Sequence, residues 1–141
     1  MHAILVAGGR NYDNEETIHS FLDPKASLNF DDIIVITGKC KFGGADLIAE
    51  EWANDNEVPH LGWPAPFSRM GKFGGPYRNE KMTKFALASF SSVEALAFPM
   101  GISNGTRGFM RWCVMLGIPL DGQEYDGSKL TIPNVGRLDS I

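Results

Sequence analysis

The stretch Ile33-Ile-Val-Ile-Thr-Gly-Lys-Cys-Lys-Phe-Gly-Gly-Ala-Asp46 decides how the rest of the chain is read. It opens on β-branched residues, Ile33 to Thr37, which favour a strand. It closes at Ala45-Asp46, where a helical pattern begins. Gly38, Gly43 and Gly44 lie between the two. Strand, glycine loop and helix together present backbone N–H groups and a helix N-terminus to a phosphate. The glycines allow close approach and positive φ. Gly38 and Gly43 have the spacing of GxxxxGK[ST], but Gly44-Ala45 stand where that motif has its lysine and hydroxyl. Without that pair, Mg²⁺-dependent ATP hydrolysis is not expected. Alone, the loop reads equally well as a tight strand-to-helix turn without a ligand.

A chain of 141 residues fits one domain with a proper core. An apolar fraction of 43% with 11% aromatics is that of a soluble globular protein. The net charge of −4 gives no electrostatic reason to expect nucleic acid as a partner. No apolar run reaches membrane-spanning length, so no membrane partner is expected. Met1 to Ala7 is too short for a signal peptide and lacks its basic start. Cys40 and Cys113 show no CxxC spacing and read as free thiols of a reducing cytoplasm. His2, His19 and His60 are scattered without metal-ligand spacing, so neither a metal nor another cofactor is expected.

Ala3 to Ala7 is a short apolar run that turns at Gly8-Gly9-Arg10, as a strand buried on both faces does. Asp13 or Asn14 can cap a helix with Ile18, Phe21 and Leu22 on one face, ended by Asp23-Pro24. Residues 25–32 form a connector. After the glycine loop, Ala45, Ile48, Ala49, Trp52 and Ala53 make the apolar face of a helix that stops at Asn56. Val58 to Trp63 is a short strand weakened by Pro59, and Pro64 to Gly75 a loop. A third helix starts at Pro76, with Arg78, Asn79 and Glu80 in its first turn and Met82, Phe85, Ala86 and Phe90 as its stripe. Val93 to Phe98 is a strand, Pro99 to Thr106 a second glycine loop, and a fourth helix runs to Leu116, closed by Gly117. Ile118 to Leu120 is a last strand, and Asp121 to Ile141 a small hairpin or loosely held tail.

This alternation predicts an α/β domain with a parallel sheet of about five strands flanked by helices. Ligands of such sheets bind at the C-terminal strand ends. That rule gathers the loops at Gly8–Arg10, Gly38–Gly44, Gly71–Asn79 and Pro99–Thr106 onto one rim. The rim is basic in an acidic chain: Arg10, Lys39, Lys41, Arg69, Lys72, Arg78 and Arg107 stand there, with Asp46, Asn79, Ser103, Asn104 and Thr106. A cationic rim with helix N-termini suits a phosphate-bearing small molecule. For each lysine singly, a solvated surface position explains it as well. An arginine in a first helical turn opposes the macrodipole, so an anion or a buried carboxylate is expected to face Arg78. Asp46 reads as a general base, a ribose-binding carboxylate or a first-turn acid. Cys40 has no histidine nearby in sequence to make it a nucleophile.

Several stretches together resemble the SLOG superfamily of Rossmann-like nucleotide-binding domains, in its YspA-related branch. They are Ala7-Gly8-Gly9-Arg10, Gly44-Ala45-Asp46 through Trp52-Ala53, Pro64-Ala65, Gly71-Lys72, Gly75-Pro76-Tyr77-Arg78-Asn79, Met82, Phe98-Pro99-Met-Gly101 and Gly105-Thr106. The set spans residues 3–120, with 121–141 as an extension. The resemblance implies a nucleotide or nucleotide-derived ligand on Gly8, Gly9, Arg10, Gly38, Lys39, Gly43, Gly44, Asp46, Arg78, Asn79, Pro99, Gly101, Gly105 and Thr106. The distantly similar LOG-type phosphoribohydrolases cleave the N-glycosidic bond of nucleoside 5′-monophosphates through an RxxxM arginine and a PGGxGTxxE glutamate. Arg78 to Met82 matches the first, but Phe109 stands where the glutamate belongs. Binding as a sensor or sequestering module is therefore expected over hydrolysis. The alternative is an N-glycosidase with Asp46 or Glu80 replacing the glutamate beside Arg78. The loop at Gly38–Gly44 is longer than the usual family form, and Phe67 stands where a tryptophan is common. DprA proteins, also distantly similar, bind single-stranded DNA, which the net acidity opposes.

From Phe109 to Leu116 every residue but Arg111 is apolar. Phe109, Met110, Cys113 and Val114 suffice for the sheet, which leaves Trp112, Met115 and Leu116 for the tail or a second subunit of a homo-oligomer. A compact single domain of this kind also suits a phage-encoded accessory protein.

Overall fold

The computed structural model of the chain describes residues 1–27, 32–40 and 42–133. Five strands, β1 (His2–Gly8), β2 (Ile33–Thr37), β3 (His60–Gly62), β4 (Ser92–Phe98) and β5 (Leu120–Gly122), form one sheet. Their order is β3-β2-β1-β4-β5, and every pairing is parallel. Four longer helices, α1 (Glu15–Ser27), α2 (Ala45–Asp55), α4 (Gly74–Ser89) and α5 (Asn104–Met115), cover it; α3 (Phe67–Met70) is a single turn.

The strands are apolar throughout because both faces are covered, and the two-residue period divides them. Ile4, Val6, Ile33, Val35, Leu96 and Phe98 face α1 and α2, whose Ile18, Leu22, Ile48 and Trp52 complete that core. Ala3, Leu5, Ile34, Ile36 and Ala95 face α4 and α5, against Met82, Ala86, Phe109 and Cys113. A one-residue slip of any inner strand would exchange these two sets. The sheet reverses its winding between β1 and β4, and their C-terminal ends carry Gly8 and Phe98 side by side.

Several boundaries differ from expectation. Asn14 caps α1, accepting from the Thr17 N–H at 3.1 Å. The helix does not stop at Asp23-Pro24; it runs through Pro24 to Ser27. Proline removes one intrahelical bond. Contacts to other elements hold the turn: Asp23 accepts from the Trp52 indole at 2.8 Å, and Lys25 pairs with Glu94 at 2.6 Å. Residues 28–31 of the expected connector lie outside the described residues. Pro64–Gly75 is not all loop, for α3 and a 3₁₀ turn at Gly71–Phe73 occupy it. α4 starts at Gly74, so Pro76 is its third residue, and Arg78, Asn79 and Glu80 stand in its second turn. Pro76 is tolerated because N–H groups of a first turn have no intrahelical acceptor. β3 is shorter than Val58–Trp63. β5 begins at Leu120, two residues beyond Ile118, which is buried in the core instead.

The chain beyond β5 turns back as a small hairpin, with Gln123 bridging Lys129. Leu130 packs on Ala97 and Met110, and the Tyr125 hydroxyl donates to Asp13 at 2.9 Å. β5 crosses the expected boundary at residue 120, and residues 134–141 lie outside the described residues. Just past α5, Leu116 packs against the core rather than away from it. Lys84 lies 5.4 Å over the Trp112 ring, and Met115 stays exposed. Among the described residues no helix is long and apolar enough to cross a membrane.

Candidate functional site

A cleft of about 700 Å³ opens where the winding reverses, at the C-terminal ends of β1, β2 and β4. Residues from all four expected loops line it. Of the residues proposed from sequence, Gly8, Gly9, Arg10, Gly38, Lys39, Asp46, Arg78, Asn79, Gly105 and Thr106 line it; Gly43, Gly44, Pro99 and Gly101 do not. Glu80 is outside the cleft, its carboxylate 2.8 Å from Lys84 on the surface of α4. Arg107 is turned away and pairs with Glu124 at 3.1 Å. Lys41 lies outside the described residues.

At the floor, Arg78 and Asn79 join three elements. The Arg78 guanidinium donates to the Gly38 carbonyl at 2.7 Å, to the Trp63 carbonyl at 3.3 Å and to Asn79 Oδ1 at 2.8 Å. Asn79, almost wholly buried, donates onward to the Gly105 carbonyl at 3.1 Å. One arginine thus ties α4 to the ends of β2 and β3, and its neighbour ties α4 to α5. Gly38 is needed for this, because a Cβ there would overlap the guanidinium.

Asp46 is 6% exposed. Its Oδ2 accepts the Cys40 N–H at 3.1 Å, while buried Oδ1 has no hydrogen-bond partner among the described residues. Burial pushes its pKa up to about 6, against the opposing pull of Arg78 and the Cys40 N–H; Glu50 adds to the rise. Burial in turn lowers the Arg78 pKa, which Asp46 raises back. A buried acceptor without a partner is unusual, and a ligand donor is one way to satisfy it. Arg78 and Asp46 thus act on each other through their charges, without a hydrogen bond between them among the described residues.

The sign of the pH effect follows. Between the ordinary value of 3.8 and about 6 the folded state holds the Asp46 proton more tightly than the unfolded chain. The stability this confers is present at low pH and is lost as pH rises through about 6. Urea unfolding of the wild type and Asp46→Asn from pH 4 to 7 should show the wild type losing ground with rising pH. The full difference is at most on the order of 3 kcal/mol. Parallel curves would show that the carboxylate is not perturbed.

The two glycine loops divide the work differently from the sequence expectation. Gly44, at φ 71°, receives the backbone of Gly9 and Arg10, where a Cβ would overlap both. The Ala45 N–H donates to the Gly9 carbonyl at 3.3 Å. That carbonyl caps the N-terminus of α2. The N-terminus of α5 has no side-chain cap. The Ser103 hydroxyl donates to the Met100 carbonyl and accepts the Met100 N–H instead. Asn104, Gly105 and Thr106, the first turn of α5, all line the cleft. The cleft therefore meets the positive end of α5.

Sequence reasoning missed Asn11, Phe42, Met100 and Ile102 as lining residues. Their types carry no chemical signal, and only the packing of the loops brings them to the cleft. Phe109, at the place of the glutamate, is fully buried in the core. Among the described residues, Asp46 is the one acidic side chain of the lining, and no group of three or more His, Cys, Asp or Glu could hold a metal.

A doubly wound parallel sheet with a cleft at its reversal point defines a Rossmann-like α/β domain. Residues 2–69 match the family described as YAcAr, the YspA, cpYpsA-related SLOG family. The match ends short of Arg78 and of the loop before α5. The chain is also 31% identical over 126 residues to the Gene 61 protein of Mycobacterium phage D29, covering 85% of this chain and 94% of that one. No solved structure matches significantly. The chain belongs to the YspA, cpYpsA-related SLOG family. That membership gives it a nucleotide-related role in general, binding or modifying.

Proposed function

We propose that the chain binds a phosphate-bearing nucleotide or nucleotide-derived signal in this cleft, as a sensor or sequestering module. The observation that carries the proposal is the pairing, in one cleft, of the side-chain-uncapped N-terminus of α5 with the buried, unpartnered Oδ1 of Asp46. The first suits a phosphate. The second suits a hydroxyl or N–H donor. Arg10 and Lys39, both exposed on the lining, add positive charge.

Asn104→Asp separates binding from folding. A carboxylate in the first turn of α5 favours the helix, by about 0.3–1 kcal/mol, and repels a phosphate. Calorimetry should give at least tenfold weaker nucleotide binding with an unchanged or slightly higher Tm. Undiminished binding would remove the phosphate from this position.

Cleavage of an N-glycosidic bond is the second reading, favoured by Asp46 alone. A buried carboxylate with a pKa of about 6 has the tuning of a general acid or base. It has no acidic partner in the lining, where glycoside hydrolysis ordinarily uses two. Release of free base from a nucleoside monophosphate, abolished in Asp46→Asn, is its test. Self-association through α5 would rest on Arg111, Met115 and the half-buried Trp112, and light scattering of a dilute sample measures it.

A further inference from the structure

The floor of the cleft is polar, and among its exposed lining residues stand three large apolar side chains. Phe42 is 63% exposed, Phe67 56% and Ile102 91%, and all three line the cleft. They come from three separate segments: the loop before α2, the start of α3, and the loop before α5. Single exposed apolar residues are ordinary; three converging on one opening are not. Each aromatic ring has a neighbour that holds it. The Arg10 guanidinium lies 5.3 Å from the centroid of Phe42. Phe67 lies against the start of α4, where a Cβ at Gly75 would be 3.8 Å from its ring. α3, which presents Phe67, buries none of its own residues. The short helix contributes little to the core and sets an aromatic ring at the opening.

We infer that Phe42 and Phe67, flanked by Ile102, form a stacking subsite for the planar base of the ligand. The inference rests on the nucleotide reading above and adds to it the ligand's orientation and selectivity. The base lies at the mouth, the phosphate at α5, and the sugar between them within reach of Asp46. Stacking on aromatic faces tolerates any base, since every base has a π-face. The subsite therefore selects for the presence of a base rather than its identity, with purines favoured by their larger area. Rings already held in place lose little freedom when the base arrives.

The test compares adenosine and uridine 5′-monophosphates with ribose 5-phosphate, which has the sugar and phosphate but no base. Calorimetry on the wild-type chain should show both nucleotides binding about ten- to a hundredfold tighter than ribose 5-phosphate. Phe42→Ala and Phe67→Ala should each reduce that ratio about tenfold and leave ribose 5-phosphate affinity within twofold of wild type. Phe67→Trp should preserve the ratio. Both rings are more than half exposed, so these variants should unfold with wild-type midpoints. An unchanged ratio in both alanine variants, or an equal fall for all three ligands, overturns the stacking subsite and leaves nucleotide binding standing. If none of the three binds the wild type, the nucleotide reading fails and the subsite with it.

Discussion

Arg78→Ala should destabilise the folded chain by about 3–5 kcal/mol, since each buried acceptor left without its donor costs about 1–3 kcal/mol. The loss has two parts. The carbonyls of Gly38 and Trp63 and the Oδ1 of Asn79 each lose a donor. Asp46, 6% exposed, also loses the cation that opposes its desolvation. The second part depends on pH. Without the guanidinium the Asp46 pKa should rise further, so protonation relieves the variant at low pH and the deficit grows as pH rises. The double variant Arg78→Ala/Asp46→Asn should recover part of the loss at pH 7.5, because no buried charge is then left unpaired. Chemical denaturation of the four proteins of this cycle measures it. Arg78→Ala as stable as wild type would show that the arginine is a surface cation of the cleft and not its tie. A role in ligand contact alone, as the family resemblance implies for Arg78, would leave stability untouched.

Gly44→Ala should be comparably damaging, with a loss of about 2–6 kcal/mol. A non-glycine residue held at φ 71°, ψ −150° costs on the order of 1–3 kcal/mol. Its Cβ would also overlap the backbone of Gly9 and Arg10, which forms one wall of the cleft. Displacing packed atoms adds about 1–3 kcal/mol. Gly43 provides the internal comparison. Its φ is 95°, but a Cβ there would meet only Leu47, at 3.6 Å. Gly43→Ala should therefore show the strain alone. Thermal unfolding should rank wild type above Gly43→Ala above Gly44→Ala, and ligand affinity should fall only in the last. Equal effects at the two positions would mean that the Gly9–Arg10 loop does not depend on Gly44 for its seat.

The sheet was legible because its strands are short apolar runs alternating with helical stripes, and both faces of Ile33–Thr37 and Ala3–Ala7 need cover. Local signals failed where tertiary contacts override them. Pro24 predicts a helix end, yet the bonds of Asp23 and Lys25 carry α1 past it. Pro64 to Gly75 has the prolines and glycines of a loop but holds two short helical turns at Phe67–Phe73. Ile118 to Leu120 looks like a strand, but Gly117 turns at φ 74° and the chain needs two more residues to reach the sheet.

The cleft divides in the same way. Loops at strand ends follow from topology, so Gly8, Gly38, Arg78 and Thr106 could be gathered onto one rim from sequence. The partner of each group could not. Nothing in Gly38–Asp46 says that the Gly9 carbonyl caps α2, which leaves the cleft facing α5. The bond of Arg78 to the Gly38 carbonyl crosses from α4 to the end of β2, and its charge acts on Asp46 at the start of α2; no local spacing records either. The stretch that first suggested a phosphate cradle also supplies the buried carboxylate and the arginine's seat.

The most direct test of nucleotide binding in this cleft is a calorimetric titration of the wild-type chain and Asn104→Asp with mononucleotides, cyclic nucleotides and NAD-derived nucleotides, each set beside its unphosphorylated nucleoside. Saturable binding of at least one phosphorylated member is expected, weaker by tenfold or more for its nucleoside and for the variant. No heat from any member, or equal affinity for nucleotide and nucleoside in both proteins, would contradict it.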